Sequence, residues 1–209
     1  MKLPIEEHMS RPWRIHKFVP DFTIEDVWAL PVHGTHDEFP ALLALLGGGQ
    51  SDSGKVDFLD SPAARFLWYL RDRLGAMFKM GTLGAQQDGA ASLRIPGADE
   101  TSLASRLDDD LRHTADDLQF PSLPFTPLYR TDDEFAAEIS NKTMHGIMHV
   151  AWVRHRDGIY QGQMTVYVKP RGPFGKAYMA FIKPFRYAIV YPALMRHFEK
   201  TWYTKVSTA

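Results

Sequence analysis

The chain has 209 residues, with 24 Lys plus Arg against 25 Asp plus Glu, a formal charge of -1, so no whole-molecule field draws it to nucleic acid or to an anionic bilayer. Its 44% hydrophobic and 23% charged residues exclude a disordered chain and fit one domain, read as residues 12–205 behind an N-terminal tail at 1–11. The lack of cysteine removes disulfides, thiolate nucleophiles and Cys-ligated zinc together, and with no signal-like apolar run between Met1 and Pro12 the expected location is cytoplasmic.

In chain order, Trp13 to Pro20 carries β-compatible residues closed by a proline and predicts a first strand. Thr23 followed by Asp26 resembles a capping box and predicts a short helix over Ile24 to Ala29, ended by Pro31. His33 and His36 fall in a polar loop, with no third ligand beside them to make a metal site. Glu38 to Leu46 is a short apolar helix stopped by Gly47-Gly48-Gly49, a spacing that fits a C-cap and not a phosphate loop. Ser61-Pro62 opens a helix on which Phe66, Leu67, Leu70 and Leu74 share a face up to Gly75. Short strands are read at Met77 to Thr82 and Ser92 to Pro96, then a polar helix from Thr101 to Leu118. Its carboxylates Asp108-Asp109-Asp110 point in different directions on a helix and read as a solvated face, not a cation site.

Past the prolines 121, 124 and 127 the pattern turns to β. Phe125 to Arg130 and Phe135 to Asn141 flank a bend, and Thr143 to His155 and Ile159 to Lys169 flank Asp157-Gly158, a dipeptide suited to a two-residue type I′ turn. That turn sets Arg156 against Ile159, and so His149 opposite Val166, Ala151 opposite Met164 and Val153 opposite Gly162. Lys176 to Tyr203 then reads as a long terminal helix kinked at Pro184 and Pro192. Lys183, Arg186 and the two prolines argue against a membrane span there.

The run Glu138 to Val153 threads polar groups through an apolar strand and is the candidate site. On a strand, His145 and His149 stand ~13 Å apart along the chain, too far to share a metal, and neither a metal nor a cofactor is expected. Each imidazole is either a satisfied core side chain or a general acid/base, with Glu138 as its orienting carboxylate. Asn141 and Thr143 just upstream, Trp152 on the same strand, and Arg186 and Tyr191 on the terminal helix complete the predicted pocket as ligand contacts.

Three blocks carry a resemblance: WRIHKFVPDFTIEDVWALP, LYRTDDEFAAEISNKTMHGIMHVAWV, and YVKP with GKAYMAFIKPFRYAIVYPALMRHFEKTW. They resemble the bacterial domain of unknown function 2867, and more remotely the helix-grip superfamily of polyketide cyclases, START domains and plant allergens. The resemblance implies an α+β fold, an antiparallel sheet curled around a long C-terminal helix with short helices in the N-terminal half and an apolar cavity between. It carries no catalytic residues.

Three functions compete on this reading. The first is binding of a small hydrophobic or amphipathic molecule between sheet and helix. The second is a cyclase, dehydratase or isomerase using histidine acid/base chemistry in the same cavity. The third is a homodimerising subunit joined through aromatics of the terminal helix.

Overall fold

A computed structural model describes residues 1–46, 102–118, 120, 125–140 and 144–206. The helix read at 61–75, the glycines 47–49, the strands at 77–82 and 92–96, and Asn141 and Thr143 lie outside the described residues.

Five strands form one antiparallel sheet in the order β1-β5-β4-β3-β2. The strands are β1 (Thr23–Gly34), β2 (Thr126–Arg130), β3 (Glu134–Ser140), β4 (Met144–Arg154) and β5 (Tyr160–Pro170). Strands β2 to β5 are a meander of hairpins, and β1 closes the far edge by pairing with β5. Around the sheet lie α1 (Ile5–Met9), α2 (Ile15–Phe18), α3 (Phe39–Leu46), and a long C-terminal helix made of α4 (Gly172–Phe185) and α5 (Tyr191–Val206), joined by a π-helical turn at Arg186–Val190.

Both faces of the sheet are covered. On one, Trp152, Val150, Met148, Phe135 and Met164 pack against α3 and against Tyr191, Phe198 and Trp202 of α5. On the other, Ile147, Ala151, Val153, Tyr129 and Tyr167 pack under Trp13, Ile15 and Phe18 of the N-terminal segment and under Leu103, Leu107 and Leu111. We call the first the helix face and the second the histidine face.

Three of the described elements differ from expectation for one reason: tertiary partners outweigh local signals. Residues 24–29 are strand, not helix, because Val27 and Ala29 are buried on the histidine face while Asp26 and Trp28 meet the C-terminal helix. Asp26 therefore spends its carboxylate on that helix instead of capping one. Pro31 is tolerated inside β1 because it falls in the irregularity between the Ala29↔Gln163 and His33↔Gln161 pairs, where the ladder is interrupted. Residues 13–20 hold a helical turn, α2, with Ile15 and Phe18 buried three apart on one side. Among residues 102–118 the expected helix is a 3-10 turn at Leu103–Arg106 followed by irregular turns. His113 there has φ of 66°, which no α-helix contains.

The β4–β5 turn corrects the register. The loop has three residues, Arg156 to Gly158, closed by His155 N donating to Ile159 O at 2.8 Å, with Gly158 at φ of 85°. This is the type I turn with a left-handed glycine, not the two-residue type I′. His149 accordingly faces Thr165, Ala151 faces Gln163 and Val153 faces Gln161. The one-residue difference moves every β5 side chain to the other face. Polar Gln163, Thr165 and Tyr167 join the histidines, and apolar Met164 and Val166 join Met148 and Val150.

Residues 1–11, set apart in the sequence as a tail, lie on the sheet. Lys2 bridges to Trp28 at the β1 edge, and α1 delivers a fully buried His8 to the histidine face.

Candidate functional site

Two carboxylate–imidazole pairs occupy the histidine face. Glu138 Oε2 lies 3.0 Å from His145 Nε2, and Glu134 Oε2 lies 3.0 Å from His149 Nε2. All four residues are buried. The pairs share one geometry, because the register sets Ser140 against His145 and Ala136 against His149. Each glutamate is thus two positions from the residue directly facing its histidine, a diagonal within reach of long side chains.

The two pairs have different surroundings. Glu138 also accepts from Leu103 N at 3.1 Å and from the Ser102 hydroxyl, so it caps the 3-10 turn. His145 sits edge-on to Phe22, 5.0 Å between ring centres. Glu134 accepts from Arg14 N at 2.9 Å, from Tyr129 Oη at 3.1 Å and from His149. Burial alone would push the Glu134 carboxyl up. The hydrogen bond and charge of His149, with the Arg14 amide and Tyr129, outweigh it and hold the group below the ordinary carboxylate range. An ionised Glu134 can only accept, so His149 carries a hydrogen on Nε2.

Over this second pair lies the N-terminal segment. His8 Nδ1 donates to Gln163 Oε1 at 3.0 Å and stands 3.1 Å from Thr165 Oγ1, while Nε2 accepts from Tyr167 Oη at 2.6 Å. Burial first, then the neighbouring His149, pushes His8 from 6.5 down to about 3, so it is neutral here, which agrees with these bonding roles. His16 is lowered for the same two reasons. Burial, then Glu134, raises both Tyr129 and Tyr167, which keeps both phenols protonated as donors.

A groove of about 410 Å³ opens beside this cluster, between the N-terminal segment and the β1–β5–β4 end of the sheet. Leu3, Leu30, Pro31 and Val153 give it apolar lining; Glu7, His155, Gln161 and Gln163 give it polar lining.

The predicted site residues divide between the two faces. His145, His149 and Glu138 are brought together on the histidine face. Trp152, Arg186 and Tyr191 lie on the helix face, so among the described residues they do not share a face with the histidines. Trp152 is core: its Nε1 donates to Thr35 O at 2.9 Å and its ring stacks with Phe39 and Tyr160. Arg186 and Tyr191 both donate to the buried Asp26, at 2.6 and 2.8 Å, and Tyr187 donates to its other oxygen. These bonds fasten the C-terminal helix to β1.

The sequence reading missed Glu134, His8, Trp13 and His16. For Glu134 a signal existed. Glu134 and Glu138 are four apart, as are His145 and His149, and antiparallel strands match two such ladders pair by pair. For His8 no periodicity marks it. Among the described residues no three His, Asp or Glu gather with metal-binding geometry, and no helix is long and apolar enough to cross a membrane.

An α+β domain with an antiparallel sheet, a long C-terminal helix and two buried Glu–His pairs is thereby defined. The chain belongs to the family described as proteins of unknown function, DUF2867, whose model matches residues 18–193. No curated protein and no solved structure matches it.

Proposed function

We propose that the protein binds a small amphipathic molecule in the groove on the histidine face, not between sheet and C-terminal helix. One observation carries this reading: the groove is lined by Gln163, the residue whose side chain holds His8 over the Glu134–His149 pair. Apolar walls with a few convergent polar groups, at this volume, are what small-molecule sites offer. The helix face is filled instead by Trp152, Tyr191, Phe198 and Trp202. The acid/base alternative rests on the two Glu–His pairs, neither of which lines the groove, so binding is the reading the geometry supports best.

Native mass spectrometry of the purified chain and titration with the neutral apolar dye N-phenyl-1-naphthylamine test it. A co-purifying molecule or saturable one-site dye binding is expected, lost in Ala29→Trp, which fills the groove, while the circular dichroism of the variant is unchanged. Non-saturable dye binding that Ala29→Trp leaves intact overturns the reading.

A further inference from the structure

Two glutamines of β5 hold polar atoms that the protein itself does not use. Gln161 and Gln163 are two positions apart on one strand, so their side chains leave the same face ~7 Å apart, and both line the groove. Each is held by one half of its amide. Gln161 Nε2 donates to Leu30 O at 3.0 Å, and a carbonyl can only accept, so the orientation of this amide is fixed and Oε1 is left over. Gln163 takes the His8 Nδ1 hydrogen on Oε1 at 3.0 Å, which leaves Nε2 over.

The Gln163 orientation follows from the other side of the His8 ring. Among the described residues the Tyr167 hydroxyl has one hydrogen-bond partner, His8 Nε2, and a phenol that accepted there would leave its own hydrogen unpaired. The phenol therefore donates, the ring carries its hydrogen on Nδ1, and Gln163 meets it with oxygen. Neither Gln161 Oε1 nor Gln163 Nε2 has a protein partner among the described residues, and neither is sealed inside the protein. Gln163 is only 2% exposed, and the space it borders is the groove, so its unused N–H group opens there. Polar groups at such depth are costly to leave unpaired.

An unused acceptor next to an unused donor, on a groove with apolar lining, selects among ligands. A carboxylate or an ester has no hydrogen for Gln161 Oε1, and an ammonium has no lone pair for Gln163 Nε2. An alcohol offers both on one atom, whose two partners stand only ~5 Å apart. The N–H and C=O of a secondary amide point to opposite sides, and with a ~2.9 Å hydrogen bond at each end they reach ~7 Å, which matches the spacing of the two glutamines. We propose that the groove takes an amphipathic N-acyl amine, its amide N–H donating to Gln161 Oε1 and its C=O accepting from Gln163 Nε2. The proposal rests on the groove reading, and its test separates the two.

The test uses the full chain with N-phenyl-1-naphthylamine bound, and two probes that differ at one position: N-benzylacetamide and benzyl acetate, whose ester oxygen replaces the N–H. The amide is expected to displace the dye with about tenfold higher affinity than the ester, a difference of about 1.4 kcal/mol, and to shift the side-chain amide signals of Gln161 and Gln163 in 1H–15N spectra. In Gln161→Leu, at a half-buried position, the dye is expected to stay bound and the preference to vanish. The probe pair on the unaltered chain keeps the test open should this variant unfold. Equal displacement by the two probes, no displacement of bound dye by the amide, or a preference that survives Gln161→Leu overturns the amide assignment and leaves the groove reading standing. Non-saturable dye binding to the unaltered chain overturns the groove reading and this proposal with it.

Discussion

Acid should loosen the N-terminal segment through His8. The ring is fully buried among His149, His16, Tyr167, Gln163 and Thr165, with Glu134 as the carboxylate that offsets the cluster's charge, and it is pushed from 6.5 down to about 3. Below pH 6.5 the unfolded chain takes a proton that the native ring refuses, so native stability falls with pH until the ring itself protonates near pH 3. From pH 6.5 to 4.5 that is two units at about 1.4 kcal/mol each, a loss of about 3 kcal/mol. His16, also lowered, adds in the same direction. Urea unfolding followed by tryptophan fluorescence at pH 7 and pH 4.5 measures the loss. The comparison is with His8→Gln, which cannot titrate; its loss over the same range should be smaller by about 3 kcal/mol. Equal losses in the two proteins would refute the idea that His8 is held neutral by its burial.

Three further outcomes follow from the described contacts. Asp26→Ala removes the acceptor of Arg186, Tyr187 and Tyr191 and leaves Arg186 only the more distant Glu25 carboxylate, 3.9 Å away; it should cost about 3 kcal/mol in urea unfolding, with hydrogen exchange fastest in the π-helical turn. Glu138→Ala removes the acceptor of Leu103 N and of Ser102; amide exchange over residues 102–106 should speed up about tenfold or more while β1 and β5 keep their protection. Gly158→Ala meets no atom but must hold φ of 85°, and should lower stability by about 1 kcal/mol with no change in strand register.

Much of the second half was legible because its signals are local. Strands β2 to β5 are bounded by bends and glycine turns, and the terminal helix is long enough for its period to show. The strand β1 was hidden because it is covered on both sides: Asp26 and Trp28 serve one face, Val27 and Ala29 the other, and no simple alternation survives. Of the candidate site, the histidines and Glu138 could be read from the strand itself. Arg186 and Tyr191 were read as facing a polar partner, and the structure supplies one, but it is Asp26 on β1. No sequence rule pairs residues 160 or more positions apart. The cover of the histidine face was illegible for a related reason, since His8, Trp13 and His16 are scattered over two short helical elements and their connection whose placement only the finished sheet decides.

The loop from Arg156 to Gly158 acts as a parity element for the whole domain. Strand side chains alternate with a period of two, so closing the turn one residue tighter, with Arg156 against Ile159, would re-address every side chain of β5, sending Gln163, Thr165 and Tyr167 into the apolar layer beneath the C-terminal helix. A slip of two residues in the pairing would only slide β5 and keep its sides. A loop of another length that kept Arg154 against Tyr160 would leave the histidine face intact, so the pairing at the turn, and not the length of the loop, decides which β5 side chains that face receives.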